Sequence, residues 1–400
     1  ILRSPSRQQR SLPMPDEKAR ADESPSDETD VYRRLQKHLD NMPVWFPATK
    51  TGVEIRLLKH LFSEKEAEMA LYLSALPEPL EKIHARAKKD GFSLRELGVG
   101  LARLAKKGAI LKSEVKGQPA FSKAMLAIGM FEFQVNRLSK EFHSDVMQYM
   151  EEEFSGAFFT KKTSQMRTIP INEEILPERS IGSYDGAKKL VMESDGPLAV
   201  INCVCRQGMD LQEQPCQLSD IRETCLLLGG LAKQVLESGA GRELSKEEMV
   251  GILERADDVG MVLQPQNIQD PQFICCCCGC CCGVLVSAKK LPKPAEYFDT
   301  NYLAEVDGEV CVECGTCRDR CAMDAIAYED GIAVVDEYRC IGCGLCVSTC
   351  ADGAIRLSQR EETKTPPKSE QALYMKIMQE RFGPLGTAKM AAKKALGLKI

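Results

Sequence analysis

The chain has 400 residues, 44% hydrophobic and 28% charged, with a formal net charge of −5. That length suggests two to three domains, and the charge gives no global pull toward nucleic acid or anionic membrane. No run of about 18 apolar residues occurs, so a transmembrane helix is not expected.

The segment from Ile1 to Asp30 is polar, rich in Ser, Pro, Arg and acids. It lacks the apolar core of a secretory signal and the composition to pack, and Met14 within it is a candidate start. Residues 53 to 116 read as a run of helices. Val53 to Phe62 is apolar at helical spacing, and Ser63 with Glu66 forms a capping box for a second helix. Pro79 opens a third over Leu80 to Ala87, which Gly91 breaks. Ser93 caps a fourth that ends at Lys107 before Gly108. Ala109–Ser113 and Gln118–Ser122 then read as a two-stranded wing around Lys116–Gly117. Helices followed by a small hairpin are the outline of a winged helix–turn–helix.

On the fourth helix, Leu94, Leu97, Leu101 and Leu104 are expected to form a buried stripe. Arg95, Arg103, Lys106 and Lys107 leave few side chains suited to base edges, and Gly98 and Gly100 weaken the helix. Specific DNA binding is therefore possible but not favoured. Further on, the pattern predicts a long amphipathic helix over residues 124–154, a strand over Met166–Asn172, a helix over Tyr184–Glu193 and a buried strand over Pro197–Cys205. Ser219 is read as capping a helix through Leu228. Ser245 and Glu248 precede a helix to Val259, and Met261–Leu263 is a short strand. Ser369–Arg381, in the Lys-rich tail, reads as an exposed amphipathic helix.

The cysteines carry most of the information. There are 19, none before Cys203. An odd count, adjacent cysteines and no export signal argue against disulfides and for metal ligands in a reducing cytoplasm. Cys311, Cys314, Cys317 and Cys321 recur at Cys340, Cys343, Cys346 and Cys350, each displaced by 29 residues, as do Gly315/Gly344 and Ala325–Ile326/Ala354–Ile355. Two copies of one unit related by a pseudo-twofold are implied. In each C-x2-C-x2-C-x3-C unit, three thiolates can wrap one [4Fe–4S] cubane while the fourth reaches the other cluster. Cys311, Cys314, Cys317 and Cys350 would hold one cluster, and Cys340, Cys343, Cys346 and Cys321 the other. Two zinc sites fit this stepping poorly.

A second constellation is Cys203-Val-Cys205-Arg206 with Cys216 and Cys225. Cys203 and Cys205 are placed at a strand end, facing the same way, and Cys225 on a helix. A third is Cys275, Cys276, Cys277 and Cys278, then Gly279, Cys280, Cys281 and Cys282. In extended backbone, alternate members face opposite sides, so the run could serve two sites or one larger site. The favoured reading is a further iron–sulfur cluster ligated jointly with the Cys203–Cys225 group, with strand ends and helix starts converging on one face. Buried free cysteine and zinc are the alternatives. Arg206 would offset the negative charge.

Residues 303–358 resemble the bacterial two-cluster ferredoxins, except that Ala322 and Ala351 stand where that family usually has proline. The resemblance implies a βαββαβ fold and one-electron transfer at low potential. Over about 53–358 the chain resembles anaerobic bacterial 4Fe–4S-binding proteins that join a winged-helix-like N-terminus, a C-x-C-R segment, a C-C-G-C-C-C-G run and a terminal dicluster ferredoxin. In that pattern the position of Cys276 is often not cysteine, which makes it the weakest ligand candidate.

The expected fold is multidomain α+β. It comprises a disordered polar segment (1–45), a winged-helix-like domain (46–125), a central mixed α/β cysteine-rich domain (126–295), a two-cluster ferredoxin domain (296–362) and a basic amphipathic tail (363–400). His38, His60, His84 and His143 are scattered and read as surface or packed side chains. No haem, Walker or dinucleotide motif and no catalytic pair stands out. The expected function is cytoplasmic electron transfer to or from a partner oxidoreductase, as a carrier or oxidoreductase subunit more than a stand-alone enzyme. The alternatives are a redox- or iron-responsive transcription regulator and a reductase built on an unusual central cluster.

Overall fold

A computed structural model describes residues 30–159, 162–171, 185–395 and 399. The polar segment before Asp30, with Met14, lies outside the described residues, as do Asn172 and Tyr184.

Helices α1 (Val31–Leu39) and α2 (Val53–Leu61) lead into α3 (Glu64–Ala70), where the Ser63–Glu66 capping box is formed in both directions. A two-residue strand β1 (Glu78–Pro79) opens α4 (Leu80–Ala87), and Ser93 caps α5 (Leu94–Lys106) through the Glu96 N–H. Strands β2 (Ile110–Val115) and β3 (Gln118–Lys123) form an antiparallel hairpin turning at Lys116 and Gly117, both at positive φ. β1 pairs with the free side of β3, giving sheet order β1-β3-β2. Leu97, Leu101 and Leu104 are fully buried, but Leu94, expected in the same stripe, is 40% exposed because it opens the helix beyond its neighbours. Gly100 is a contact point: a Cβ there would lie 2.2 Å from the Met69 sulfur of α3. What the helix loses in propensity it recovers as close helix approach.

The long helix expected over 124–154 begins only at Lys140. Residues 124–139 follow an irregular, largely buried path in which Ala127, Ile128 and Gly129 have non-helical φ and ψ. Their apolar side chains suit a buried helix and a buried loop equally. Ser139 caps α6 (Lys140–Tyr149), which continues through Phe154 into α7 (Ser155–Phe159).

After α8 (Ala187–Met192), the central region is built on one five-stranded sheet. Its members are β4 (Leu198–Asn202), β5 (Glu223–Leu228), β6 (Arg242–Leu244), β7 (Val262–Pro265) and β8 (Phe273–Cys277), in order β6-β4-β5-β8-β7. Every pairing is antiparallel, so the convergence of strand ends expected of a parallel sheet does not apply. Two predicted elements change here. The stretch from Ser219 to Leu228 is not a helix; residues 223–228 are the central strand β5. A strand paired on both edges and covered on both faces reads as a continuous apolar run, and helix capping at Ser219 was a weaker signal than that burial. The strand expected over Pro197–Cys205 ends at Asn202, where Cys203 becomes the N-cap of α9 (Val204–Leu211). The segment expected to form a strand from Met166 makes only isolated bridges, to Gln266, Asp299 and Leu263.

Side chains alternate across this sheet. Ala199, Ile201, Leu227 and Phe273 face a core shared with α1–α6, whereas Leu198, Val200, Leu226, Leu228 and Ile274 face α8, α11 (Lys246–Val259) and the C-terminal unit. The remaining helices α10 (Gly229–Ser238) and α12 (Gly283–Lys289) flank it.

In the C-terminal unit, β9 (Tyr302–Val306) and β12 (Ile355–Gln359) form one antiparallel pair, and β10 (Ile326–Glu329) and β11 (Ile332–Val335) another. Helix α13 (Thr316–Arg320) joins β9 to β10; the second helix of the expected βαββαβ order is only a series of turns over 345–349. The internal repeat reaches the backbone. Glu313 and Gly342, Gly315 and Gly344, and Asp324 and Gly353 all have positive φ, each pair displaced by the same interval as the cysteines. The final helix α14 (Glu370–Ala395), broken at Gly383, is amphipathic over its first part as expected, with most of residues 370–380 exposed and one apolar stripe packed down. Leu373 and Ile377 are fully buried against Ile268.

Glu66 ties α3 to α5. It is buried, and Arg103 Nε and Lys107 Nζ both donate to it at 2.7 Å. Burial alone would raise its carboxyl, but Lys107, Ser63 and Arg103 hold it down at about 2. Glu66→Gln is expected to cost about 2 kcal/mol of local stability at pH 7. Hydrogen exchange of the α3 and α5 amides should show this as faster exchange. The folded carboxyl lies below its unfolded value of about 4.3, so the contribution is complete above that value. The gap between variant and parent should close as pH falls from about 4.5 toward 2.

Candidate metal centres

The two C-terminal cysteine loops are held open by their backbones. Gly315 (φ 85°) and Gly344 (φ 75°) each follow a cysteine in the left-handed region, which glycine adopts without penalty. Cys311, Cys314 and Cys317 line one pocket together with Cys350 from the other repeat, and with Val312, Thr316, Tyr328 and Ile355. The Tyr328 hydroxyl lies 3.6 Å from the Cys317 sulfur. Cys321 is brought to the other triplet in turn: Cys343 and Cys346 each feel Cys321 and Cys340 electrostatically, and the Ala325 N–H donates to Cys321 Sγ at 3.2 Å. The two groups differ in access. Cys314 is exposed and Cys311 half-buried, whereas Cys340 and Cys346 are buried, and the Cys343 carbonyl accepts from Ile171 N. One group faces solvent and the other faces the body of the protein.

The eleven cysteines of the central region fall into two groups and one outlier. The pairing of β5 with β8 sets Cys225 opposite Cys275. Cys203 and Cys205 lie at the start of α9, and Cys282 caps α12. Their thiols form a chain of neighbours in which Cys203 meets Cys205, Cys205 meets Cys282, Cys282 meets Cys277, Cys277 meets Cys275 and Cys275 meets Cys225. Six thiols therefore share one site, with Cys277 and Cys282 buried and the others half-buried. The second group is Cys216, Cys278, Cys280 and Cys281, whose sulfurs all lie within 4.8 Å of one another. Cys216, expected to join Cys203, Cys205 and Cys225, joins the turn after β8 instead. Cys225 reaches its site from a strand and not from a helix. The cysteine run thus serves two groups: Cys275, Cys277 and Cys282 turn one way, and Cys278, Cys280 and Cys281 the other.

Cys276 stands apart. It lies on the opposite face of β8 in the apolar core, and burial pushes its thiol up to about 12. Thiols of this kind pack as small hydrophobes.

Between the two groups lies Arg206, whose side chain is fully buried. Its Nη1 donates to Thr224 Oγ1 at 2.5 Å and its Nη2 to the Cys276 carbonyl at 3.2 Å. Nε has no partner. A buried guanidinium is tolerated only against negative charge, and Cys203, Cys278 and Cys216 lie close enough to supply it as thiolates. Thiol hydrogen bonds shared with Cys278, Cys280 and Cys281 pull Cys216 far below the ordinary thiol range. The orphaned N–H suits a sulfur acceptor, and the surplus of thiols suits metal bound by thiolates with a net negative charge.

Glu132 was not singled out from sequence. Burial pushes its carboxyl up to about 8, beside Cys275, and its oxygen accepts from Gly129 N at 2.6 Å. A lone acid in the run Leu126–Phe133 carries no motif that would reveal it. The histidines hold structural contacts: His38 to the Leu73 carbonyl at 2.8 Å, His60 to Asp145 at 3.1 Å, His84 to the Phe92 carbonyl at 3.0 Å and His143 to Gln212 at 3.3 Å.

Arg206→Met keeps an unbranched side chain, though a shorter one, and removes the charge. It should weaken metal retention by the central cysteines by about tenfold to 100-fold and leave the C-terminal signals unchanged. Competition of the anaerobically purified protein with a chelator measures this.

A family model for the 4Fe–4S dicluster domain matches residues 304–351, a span that contains all eight C-terminal cysteines. No curated protein and no solved structure matches the chain. The protein is a mixed α/β multidomain chain with a 4Fe–4S dicluster domain near its C-terminus, and it binds iron–sulfur.

Proposed function

We propose that the protein is an electron carrier that passes single electrons to or from a partner oxidoreductase through two [4Fe–4S] clusters. Cys311, Cys314, Cys317 and Cys350 hold the outer cluster; Cys340, Cys343, Cys346 and Cys321 hold the inner one. The observation that carries the reading is the cavity in which Cys350 closes the ring begun by Cys311, Cys314 and Cys317. This exchange of the fourth ligand between repeats is what the two-cluster spacing demands. Cys314 is exposed, and Val310 (41%) and Val312 (62%) are exposed on either side of Cys311. An apolar rim around an exposed cluster ligand suits brief docking of a redox partner. A further iron–sulfur centre belongs on the six-thiol group of Cys203, Cys205, Cys225, Cys275, Cys277 and Cys282, fed through the inner cluster.

The N-terminal elements suit a winged helix, because β1-β3-β2 with α3, α4 and α5 has the corresponding order. Its role here is scaffolding. Arg103 and Lys107, which a DNA reader would present to phosphates or bases, are spent on Glu66, and one face of the module is committed to the central sheet.

Anaerobically purified protein should show two cubanes by Mössbauer spectroscopy and accept one electron in each. Cys350→Ser should disturb the outer cluster and Cys321→Ser the inner one, read as separate changes in the reduced EPR spectrum. Stoichiometric zinc without iron at these eight cysteines would overturn the reading.

A further inference from the structure

We infer that Cys216, Cys278, Cys280 and Cys281 form a closed site for a single tetrahedral divalent ion, zinc or ferrous iron, distinct from every cubane in the chain. The argument is one of size. Cys216 Sγ lies 3.7 Å from Cys278 Sγ and 3.6 Å from Cys280 Sγ, and Cys280 Sγ lies 3.6 Å from Cys281 Sγ. Four sulfurs about 2.3 Å from one ion form a tetrahedron with edges of about 3.8 Å. A cubane holds one outward-pointing thiolate on each iron, so its ligand sulfurs stand much farther apart. The C-terminal cysteines supply an internal ruler. Among the described residues, no other group of three or more Cys, His, Asp or Glu brings its ligand atoms within 4.8 Å of one another. The loops assigned to cubanes are therefore wider, and the six-thiol group is also not so compact.

Local structure makes the site. β8 ends at Cys277, residues 279–281 form a tight turn, and Cys282 N returns a hydrogen bond to the Cys278 carbonyl at 3.2 Å. Three thiols of that turn then face Cys216, on the loop after α9. With all four cysteines as thiolates around a divalent ion, the complex carries a charge of −2. Two guanidinium groups are at hand to offset it. Arg206 is buried beside the site, and Arg222, held by Asp210 at 2.6 and 2.8 Å, also lies within electrostatic reach of Cys216. No open coordination position is evident in a set of four thiolates, so the role is structural. What it would secure is a joint. A Cβ on Gly279 would lie 2.8 Å from the Ala322 carbonyl oxygen, and Ala322 follows Cys321. The ion pins the turn that carries the C-terminal unit against the central sheet.

The test is made on the full chain, purified anaerobically, so that the C-terminal cubane signals report independently on the electron-transfer reading. One zinc per chain, with an X-ray absorption spectrum showing four sulfurs at about 2.3 Å and no metal–metal distance, is the expected result. One iron per chain with the Mössbauer signature of high-spin ferrous tetrathiolate supports the site equally and identifies the ion. Cys216→Ser should lose that one ion, keep both C-terminal cubanes, and speed hydrogen exchange in residues 278–282 and 321–325. Loss of about four irons together in Cys216→Ser, or a parent protein with no mononuclear ion, would overturn the inference. The measurements on the parent protein decide the matter even if the variant fails to fold.

Discussion

The pairing of β5 with β8 is the constraint on which the centre of this protein depends. It puts Cys225 and Cys275 side by side although fifty residues of chain separate them, and it buries both strands between two apolar layers. The pleat then sorts the cysteine run. Cys275 and Cys277 turn to one face and Cys276 to the other. The chain leaves the sheet at Cys278, and the next turn can serve a different site. A shift of one residue in this register would place Cys276 among the thiols and Cys275 and Cys277 in the core. The register is held on the core side by Ile274 against Leu226 and Leu228, all buried.

Charge sets the second condition. The two thiol groups flank the fully buried guanidinium of Arg206, with Cys203, Cys278 and Cys216 within electrostatic reach of it. If the proposed central sites are filled, their metal affinity contributes directly to the stability of the central sheet. The same reasoning explains why the histidines take no part: each already has a hydrogen-bond partner within the helical layers.

What the sequence made legible follows from how local each signal is. The Ser63–Glu66 and Ser245–Glu248 capping boxes, the hairpin at Lys116–Gly117 and the 29-residue repeat are short-range patterns, and the structure has the elements in those places. The stretch from Ser219 to Leu228 was misread because its apolar run is long enough for either element, and only pairing with β4 and β8 decides for a strand. Residues 124–139 failed for the same reason in reverse. The partition of the central cysteines was not legible at all. Spacing shows which thiols share a loop, but Cys216 departs from Cys203, Cys205 and Cys225 through the path of α9 and the loop after it. Glu132 and the Gly279–Ala322 contact arise only from packing between distant segments.

The exchange of Cys350 and Cys321 between repeats has a consequence for the order of assembly. During synthesis the chain emerges from its N-terminus. With the proposed ligands, the inner cluster has its full donor set once Cys346 is available, because Cys321 has already appeared. The outer triplet Cys311, Cys314 and Cys317 is made first yet must wait for Cys350, the last cysteine of the chain. The half that appears earliest is thus the last to be completed. A chain cut short between Cys346 and Cys350 would keep the buried centre and lose the one facing solvent, leaving a protein able to store an electron but with no exposed centre through which to trade it.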